Sequence, residues 1–203
     1  MMRLITTPYI LRMFYPSLLW KMPKGEKKLY LTFDDGPHPT ITPQVLEILK
    51  KFNAKATFFC IGNNVNRYKD IFELIKAEGH SVGNHTFNHE RGWRTKTEDY
   101  IKSVKDADAL IMSHLFRPPH GRIKSSQIKM LKKNYKLIAW SVISYDWDKS
   151  LNPEDCFNNV IKNASDGSII VFHDSEKAVN NMIPTLTKVL EYYTEKGFTF
   201  ERL

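Results

Sequence analysis

The chain is poor in cysteine: Cys60 and Cys156 are the only two among its 203 residues. Two such distant thiols give neither a disulfide framework nor a cysteine-based zinc motif, a pattern that fits a reducing compartment. Cys60 lies in the apolar run Ala56-Thr57-Phe58-Phe59-Cys60-Ile61 and reads as a buried thiol. Long hydrophobic runs are missing as well. No apolar stretch approaches the ~18–20 residues that span a bilayer, and no small-residue cleavage site follows a clean apolar core. Internal repeats, low-complexity tracts and Gly/Ser linkers are absent, so the length accommodates one domain, or one domain with a short appendage. Basic runs interleaved with aromatics, which single-strand nucleic-acid binders use, are absent too. The net charge of +8 resides in patterns such as Lys50-Lys51 and Lys132-Lys133. These read as solvated helix faces, and no nucleic-acid partner is expected.

Acidic residues are missing from residues 1–22, which are otherwise apolar and basic and are interrupted by Arg3, Pro8, Arg12 and Pro16. This segment reads either as an arm packed on the domain or as a peripheral membrane-surface anchor. In the second reading its basic groups meet headgroups and its aromatics dip inward. The domain proper is expected over 23–203. With no clear signal peptide, a cytoplasmic or membrane-associated location is expected.

What is present is ordinary in amount, 42% apolar and 26% charged residues, as in soluble globular proteins. Its order is more telling. Short apolar runs alternate with helical periods. Strands are predicted near 28–33, 56–61, 81–84, 115–117, 137–142, 168–172 and 198–201. Helices are predicted near 41–52, 66–78, 97–113, 125–133, 153–163 and 181–195. Thr97 followed by Glu98-Asp99 marks a helix start, Gly79 a stop, and Asn152-Pro153-Glu154 an N-cap with proline at the first helical position. Such alternation implies an α/β fold of parallel strands, either a small or distorted barrel or an open doubly wound sheet. In both, sites form at the carboxyl ends of strands.

The polar outliers fall there. Asp34-Asp35 follow the first predicted strand, His85 and His89 the third, and Arg117-Pro118-Pro119-His120-Gly121 the fourth. Asp146-Trp147 follow the fifth and His173-Asp174 the sixth. Asp-Asp-Gly alone is turn chemistry, and His85-x-x-x-His89 alone is a weak signal. Together, Asp35, His85 and His89 provide one oxygen and two nitrogens for zinc or another divalent first-row ion, with positions left open. Such an ion acidifies a water molecule, and Asp34 can then take the proton. Arg117 can orient Asp34 through a bidentate contact. The loop that Pro118-Pro119 stiffens and Gly121 lets turn can present a backbone N–H to an oxyanion. His173 can protonate a leaving amine, tuned by Asp146. Trp147 offers an apolar wall for an acetyl methyl or a sugar face.

This set resembles the NodB-homology polysaccharide deacetylases, carbohydrate esterase family 4. The residues that carry the resemblance are Thr32-Phe33-Asp34-Asp35-Gly36, His85-Thr86-x-x-His89, Arg117-Pro118-Pro119-His120-Gly121, Asp146-Trp147 and Val171-Phe172-His173, in family order over roughly 27–203. The resemblance implies a distorted (β/α)7 barrel and metal-dependent N- or O-deacetylation of a carbohydrate such as chitooligosaccharide, peptidoglycan or a lipid-linked sugar. It assigns Asp34 as base and His173 as acid, with Arg117 and Asp146 supporting them. It assigns the metal, zinc before cobalt, manganese, iron or nickel, to Asp35, His85 and His89. Substrate contacts fall to Pro119, His120 and Trp147. Two positions depart from the family pattern. His120 stands where Tyr is usual, and Ile143 where an Asp often precedes Asp-Trp. Hydrolysis of a small cyclic amide and non-catalytic glycan binding are the alternative readings.

Overall fold

The computed structural model describes residues 3–203; Met1 and Met2 of the N-terminal segment lie outside the described residues. In chain order the elements begin with helix α1 (Tyr9–Phe14), strand β1 (Leu18–Leu19), β2 (Lys28–Asp34), α2 (Ile41–Lys51) and β3 (Ala56–Cys60). Next come α3 (Gly62–Arg67), α4 (Lys69–Ala77), β4 (Ser81–Asn84), α5 (Thr97–Ile111), β5 (Leu115–Phe116) and α6 (Ser125–Leu131). The chain ends with β6 (Lys136–Ile138), β7 (Val142–Ile143), α7 (Pro153–Ile161), β8 (Ile169–His173), α8 (Val179–Glu195) and β9 (Thr199–Phe200).

The strands form one curled parallel sheet in the order β1-β6-β5-β4-β3-β2-β8-β7, with β9 added to the start of β2. Of the two arrangements that the alternation allows, this is the distorted α/β barrel, the one that the resemblance implies. Helices cover its outer face through their apolar stripes. In α2, Ile41, Val45, Leu46 and Leu49 are buried while Lys50 and Lys51 close the last turn, the spacing of one helix face. The expected stop at Gly79 is seen: its φ is +79° and its N–H bonds to the Lys76 carbonyl. Asn152 caps α7, and its side chain and that of Asp155 each accept the other's backbone N–H, at 2.9 and 3.1 Å, a capping box.

Two expectations need correction. The predicted helix 66–78 is two helices, because the chain turns at Tyr68 (φ −129°, ψ 56°) between α3 and α4. The predicted strand 137–142 is also two. β6 pairs with β5, whereas β7 pairs with β8 at the opposite edge of the sheet. Residues 139–141 therefore cross a seam where the barrel is closed by chain connectivity rather than by a hydrogen-bonded ladder.

The N-terminal arm lies along this seam. Thr6 bridges Val142 on one side, and Leu18–Leu19 pair with Leu137–Ile138 on the other. Arg3 is tied to Asp148 at 2.7 Å. A boundary at residue 22 thus does not divide two units, since β1 belongs to the sheet. Between these anchor points α1 buries none of its residues.

Beneath the carboxyl ends of the central strands lies an aromatic ladder. Phe33 is in register with Phe58 and with Phe172, and its ring stacks on theirs at centroid distances of 5.0 and 5.9 Å. Cross-strand aromatic pairs of this kind fix register. Phe33→Ala is expected to cost about 3–5 kcal/mol, seen as a lower urea midpoint with little change in slope, and Phe33→Leu markedly less.

Candidate active site

Parallel strands bring their carboxyl ends to one rim, and the register fixes which residues meet there. Asp34, the last residue of β2, is in register with His173, the last residue of β8. Phe33 and Phe172 point into the core one step earlier, so the acidic and imidazole groups emerge side by side. Asp35 then leaves the strand with φ +82°. Its carbonyl accepts from Asn64 Nδ2 at 2.7 Å, and the next residue, Gly36, donates its N–H to Asp174 at 3.0 Å. A Cβ on Gly36 would collide with that buried carboxylate. Asp174 also accepts from Thr42 Oγ1 at 2.5 Å. Burial, with Asp35 nearby, pushes the Asp174 pKa up to about 7. The sequence placed Asp174 in a reactive cluster without a role; here it anchors the turn that carries Asp35.

One ligand atom each from Asp35, His85 and His89 lies within 4.8 Å of the others. Asp35 Oδ1 is 3.2 Å from His89 Nε2 and 3.9 Å from His85 Nε2. The pair His85-His89 is set in a loop after β4, not on a helix. Thr86 and His89 both adopt left-handed backbone, φ +63° and +62°. His85 Nδ1 lies 2.8 Å from the Arg117 carbonyl; a carbonyl only accepts, so Nδ1 carries the proton and Nε2 is free to ligate. Burial lowers the His85 pKa, and burial together with His85 lowers that of His89 to about 4. Both rings are thus neutral, as ligands must be. Burial works to raise the Asp35 pKa, but the cations His173 and Lys177, with the imidazoles of His89 and His85, outweigh it and hold the carboxyl below the ordinary carboxylate range. The donor set fits a divalent metal ion with open coordination positions.

Arg117 has no solvent exposure. Its Nη1 donates to Asp34 Oδ1 at 2.7 Å and to Thr32 Oγ1 at 2.7 Å, and its Nη2 donates to the Ala139 carbonyl at 3.0 Å. The guanidinium lies over the Phe59 ring at 4.1 Å. The expected bidentate contact is therefore corrected: Arg117 holds one oxygen of Asp34, because its other nitrogen is drawn across the barrel to residue 139. Asp34 Oδ2 is left facing His85 Nε2 at 4.0 Å.

His173 is clasped by Asp146, which accepts from its backbone N–H at 2.7 Å and from Nδ1 at 2.8 Å. Burial opposes protonation, but Asp146, with Asp35 and Asp34 behind it, raises the His173 pKa to about 9. The Trp147 ring stands edge-on to His173 at 4.6 Å.

A cleft of about 360 Å³ joins these groups. Asp34, Asp35, His85, His89, His120, Trp147 and His173 line it. Pro119 does not: it is buried, and its carbonyl accepts the Arg122 N–H at 3.1 Å, so it shapes the turn rather than the cleft wall. His120, with φ +58°, packs its ring against that of His89, tilted by 54° with centroids 4.4 Å apart. The sequence reading missed Lys177, Trp140, Arg91 and Arg122, which also line the cleft. Lys177 Nζ bonds to Asp35 Oδ2 at 2.6 Å. Its position in the loop after β8 was the available signal. Trp140 gave none, since it lies in what read as mid-strand.

Breaking a buried ion pair leaves an uncompensated charge. Arg117→Met is expected to destabilise the fold by about 3–5 kcal/mol, and adding Asp34→Asn should return part of that loss. A double-mutant cycle on unfolding midpoints checks both.

Comparisons with known proteins bear on the family and the fold. The family model for polysaccharide deacetylase matches residues 21–136. A peptidoglycan-N-acetylglucosamine deacetylase of Bacillus cereus is 36% identical over 191 residues, covering 89% of this chain and 88% of that protein. A chitooligosaccharide deacetylase of Azorhizobium caulinodans is 34% identical, covering 76% of this chain and 77% of that protein. Among solved structures, a peptidoglycan N-acetylglucosamine deacetylase in complex with 4-naphthalen-1-yl-N-oxidanyl-benzamide superposes with a TM-score of 0.89 at 30% identity, covering 97% of this chain and 95% of that one. The chain belongs to the polysaccharide deacetylase family, hydrolases of carbon–nitrogen bonds other than peptide bonds with the NodB-homology fold.

Proposed function

We propose that this protein removes the acetyl group from N-acetylglucosamine units of an acetylated glycan, with a zinc ion held by Asp35, His85 and His89. The observation that carries this reading is the pairing of a base and an acid across one cleft: Asp34 and His173 in register, with the three metal-ligating side chains beside them. The names of the relatives, peptidoglycan and chitooligosaccharide deacetylases, support the substrate class. Two nitrogens and one oxygen favour zinc over magnesium or calcium. When bound, such an ion supplies an acidified water and polarisation of the acetyl carbonyl.

The remaining steps belong to the chain's own residues. Asp34 takes the proton from the attacking water through Oδ2, since Oδ1 is held by Arg117. As the water oxygen bonds to the acetyl carbon, negative charge builds on the carbonyl oxygen. The N–H groups of Gly121 and Arg122 are committed to the Pro118 and Pro119 carbonyls, which leaves the His120 amide as the turn's donor to that oxygen. A side-chain change from Tyr to His at this position keeps that amide. His173, protonated through Asp146, gives its Nε2 proton to the sugar nitrogen as the carbon–nitrogen bond breaks. Acetate and a free amine result. Trp147 packs on the acetyl methyl.

Asp34→Asn is expected to lower turnover by about 10²–10⁴-fold with zinc content retained. His85→Ala should lose the metal as well; acetate release and elemental analysis read the two effects apart.

The general acid must be protonated, so activity is present below the His173 pKa of about 9 and is lost as pH rises through it. Asp146→Ala removes the group that raises this pKa. The alkaline limb of kcat should then move down toward the ordinary histidine range, with metal content unchanged. An unmoved limb would assign the proton transfer to another group.

A further inference from the structure

The arm that lies along the seam leaves two apolar surfaces. One is the outer face of α1, where Tyr9, Ile10, Met13 and Phe14 are 77, 61, 65 and 74% exposed. The other is a groove of about 380 Å³ between Leu11, Leu18 and Trp20 of the arm and Trp140, Ile143 and Trp147 of the barrel. The last three also line the catalytic cleft, so groove and cleft form one continuous trough. The trough runs from the candidate acetyl site to the base of the exposed helix, because Pro8 and Leu11 line it too.

The chemistry of the groove separates two kinds of occupant. Among the described residues no carboxylate, carboxamide or lysine lines it; its polar side chains are Thr6, Thr7, His120, Arg122 and Tyr145. Of these, His120 and Arg122 lie at the end shared with the cleft, while the Thr7 hydroxyl is spent on the Trp140 carbonyl at 2.7 Å and the Tyr145 hydroxyl on the Leu4 carbonyl at 3.4 Å. A further sugar needs partners for its hydroxyls, since buried polar groups without them are costly; a hydrocarbon chain needs none. Charge points the same way. Residues 1–22 contain no acidic residue. Burial and the neighbouring cations Lys24 and Arg12 lower the Lys21 pKa against the opposing charge of Asp166, so three cations, one of them from α1, gather around a single carboxylate. A basic patch beside an exposed apolar helix face is complementary to an anionic lipid surface.

We propose that the enzyme works at such a surface: α1 seats in the face of an anionic bilayer, and the groove receives the hydrocarbon chain of a lipid-linked N-acetyl sugar whose acetamido group lies in the cleft. This rests on the deacetylase reading of the cleft. The groove replaces the further sugar subsites that a polymer would need, and the helix brings the trough to the depth at which a lipid-linked sugar is presented.

The test uses the full zinc-loaded chain with vesicles of phosphatidylcholine, with and without phosphatidylglycerol. Flotation reports docking, and acetate release is compared for a soluble chitooligosaccharide and for polyprenyl-pyrophosphoryl N-acetylglucosamine in the same vesicles. Flotation with the anionic vesicles is expected, and a kcat/KM at least about tenfold higher on the lipid-linked sugar, a difference of about 1.4 kcal/mol. Ile10→Asp/Phe14→Asp, two outward-facing positions, should abolish flotation and the preference while turnover of the chitooligosaccharide stays the same. Leu11→Trp, which fills the groove, should remove the preference but keep flotation. Absence of flotation, equal kcat/KM on both substrates, or a preference unchanged in these variants overturns the proposal while leaving the deacetylase reading intact. Absence of acetate from every substrate overturns the deacetylase reading, and this proposal with it.

Discussion

The buried ion pair between Arg117 and Asp34 is the interaction on which the rest of the site depends. The guanidinium has no solvent exposure and lies over Phe59, so it is held by its hydrogen bonds rather than by water. Through them it connects the ends of three strands: its side chain reaches Thr32 and Asp34 of β2 and the Ala139 carbonyl beyond β6, while its own backbone follows β5. Its carbonyl also receives the His85 Nδ1 proton at 2.8 Å. One residue therefore orients Asp34, the proposed base, selects the tautomer of His85, a candidate metal ligand, and fastens the chain where it leaves β6 at the seam. Burying a charge in this way costs several kcal/mol per ion, recovered only when geometry and hydrogen bonding are nearly complete.

The two adjacent carboxylates divide their oxygens in parallel fashion. Asp34 gives Oδ1 to Arg117 and turns Oδ2 toward His85. Asp35 gives Oδ2 to Lys177 and turns Oδ1 toward His89 and His85. Like charges on neighbouring residues repel, and a separate cation for each relieves that repulsion while leaving one oxygen of each for chemistry. Backbone strain is concentrated around the same cleft. Among the described residues, five of the eight non-glycine positions with positive φ lie in or beside it: Asp35, Thr86, His89, His120 and Tyr145. Left-handed backbone is unfavourable for such residues. It persists here because surrounding bonds, such as that of Asn64 to the Asp35 carbonyl, fix the loops.

The seam gives the fold its asymmetry. On the β8 side, full-length strands carry Asp34 and His173 in register. On the β6 side, two short strands and a three-residue crossing leave room for the arm and for Trp140, Ile143 and Trp147 to line both cleft and groove. A closed barrel would bury those side chains in its wall. The open seam lets the cleft extend sideways, along the arm rather than over the top of the barrel.

The sequence by itself determined the alternation of strands and helices, the α7 N-cap, the stop at Gly79, and the positions of the reactive residues at strand ends. Each of these follows from local chemistry: periodicity, turn residues and caps act over a few positions. Only the tertiary structure decided that the run around 137–142 breaks across two edges of the sheet, that the arm enters that gap, that Pro119 is buried beneath its turn, and that Lys177 holds Asp35. It also decided which oxygen of each carboxylate faces the site. Arg117 and Asp34 are 83 residues apart in the chain and Asp146 and His173 are 27 apart, distances over which no local pattern fixes orientation. The strand-end rule identifies the residue types that meet. The direction in which each points is settled by the barrel's register and by the buried charge at its centre.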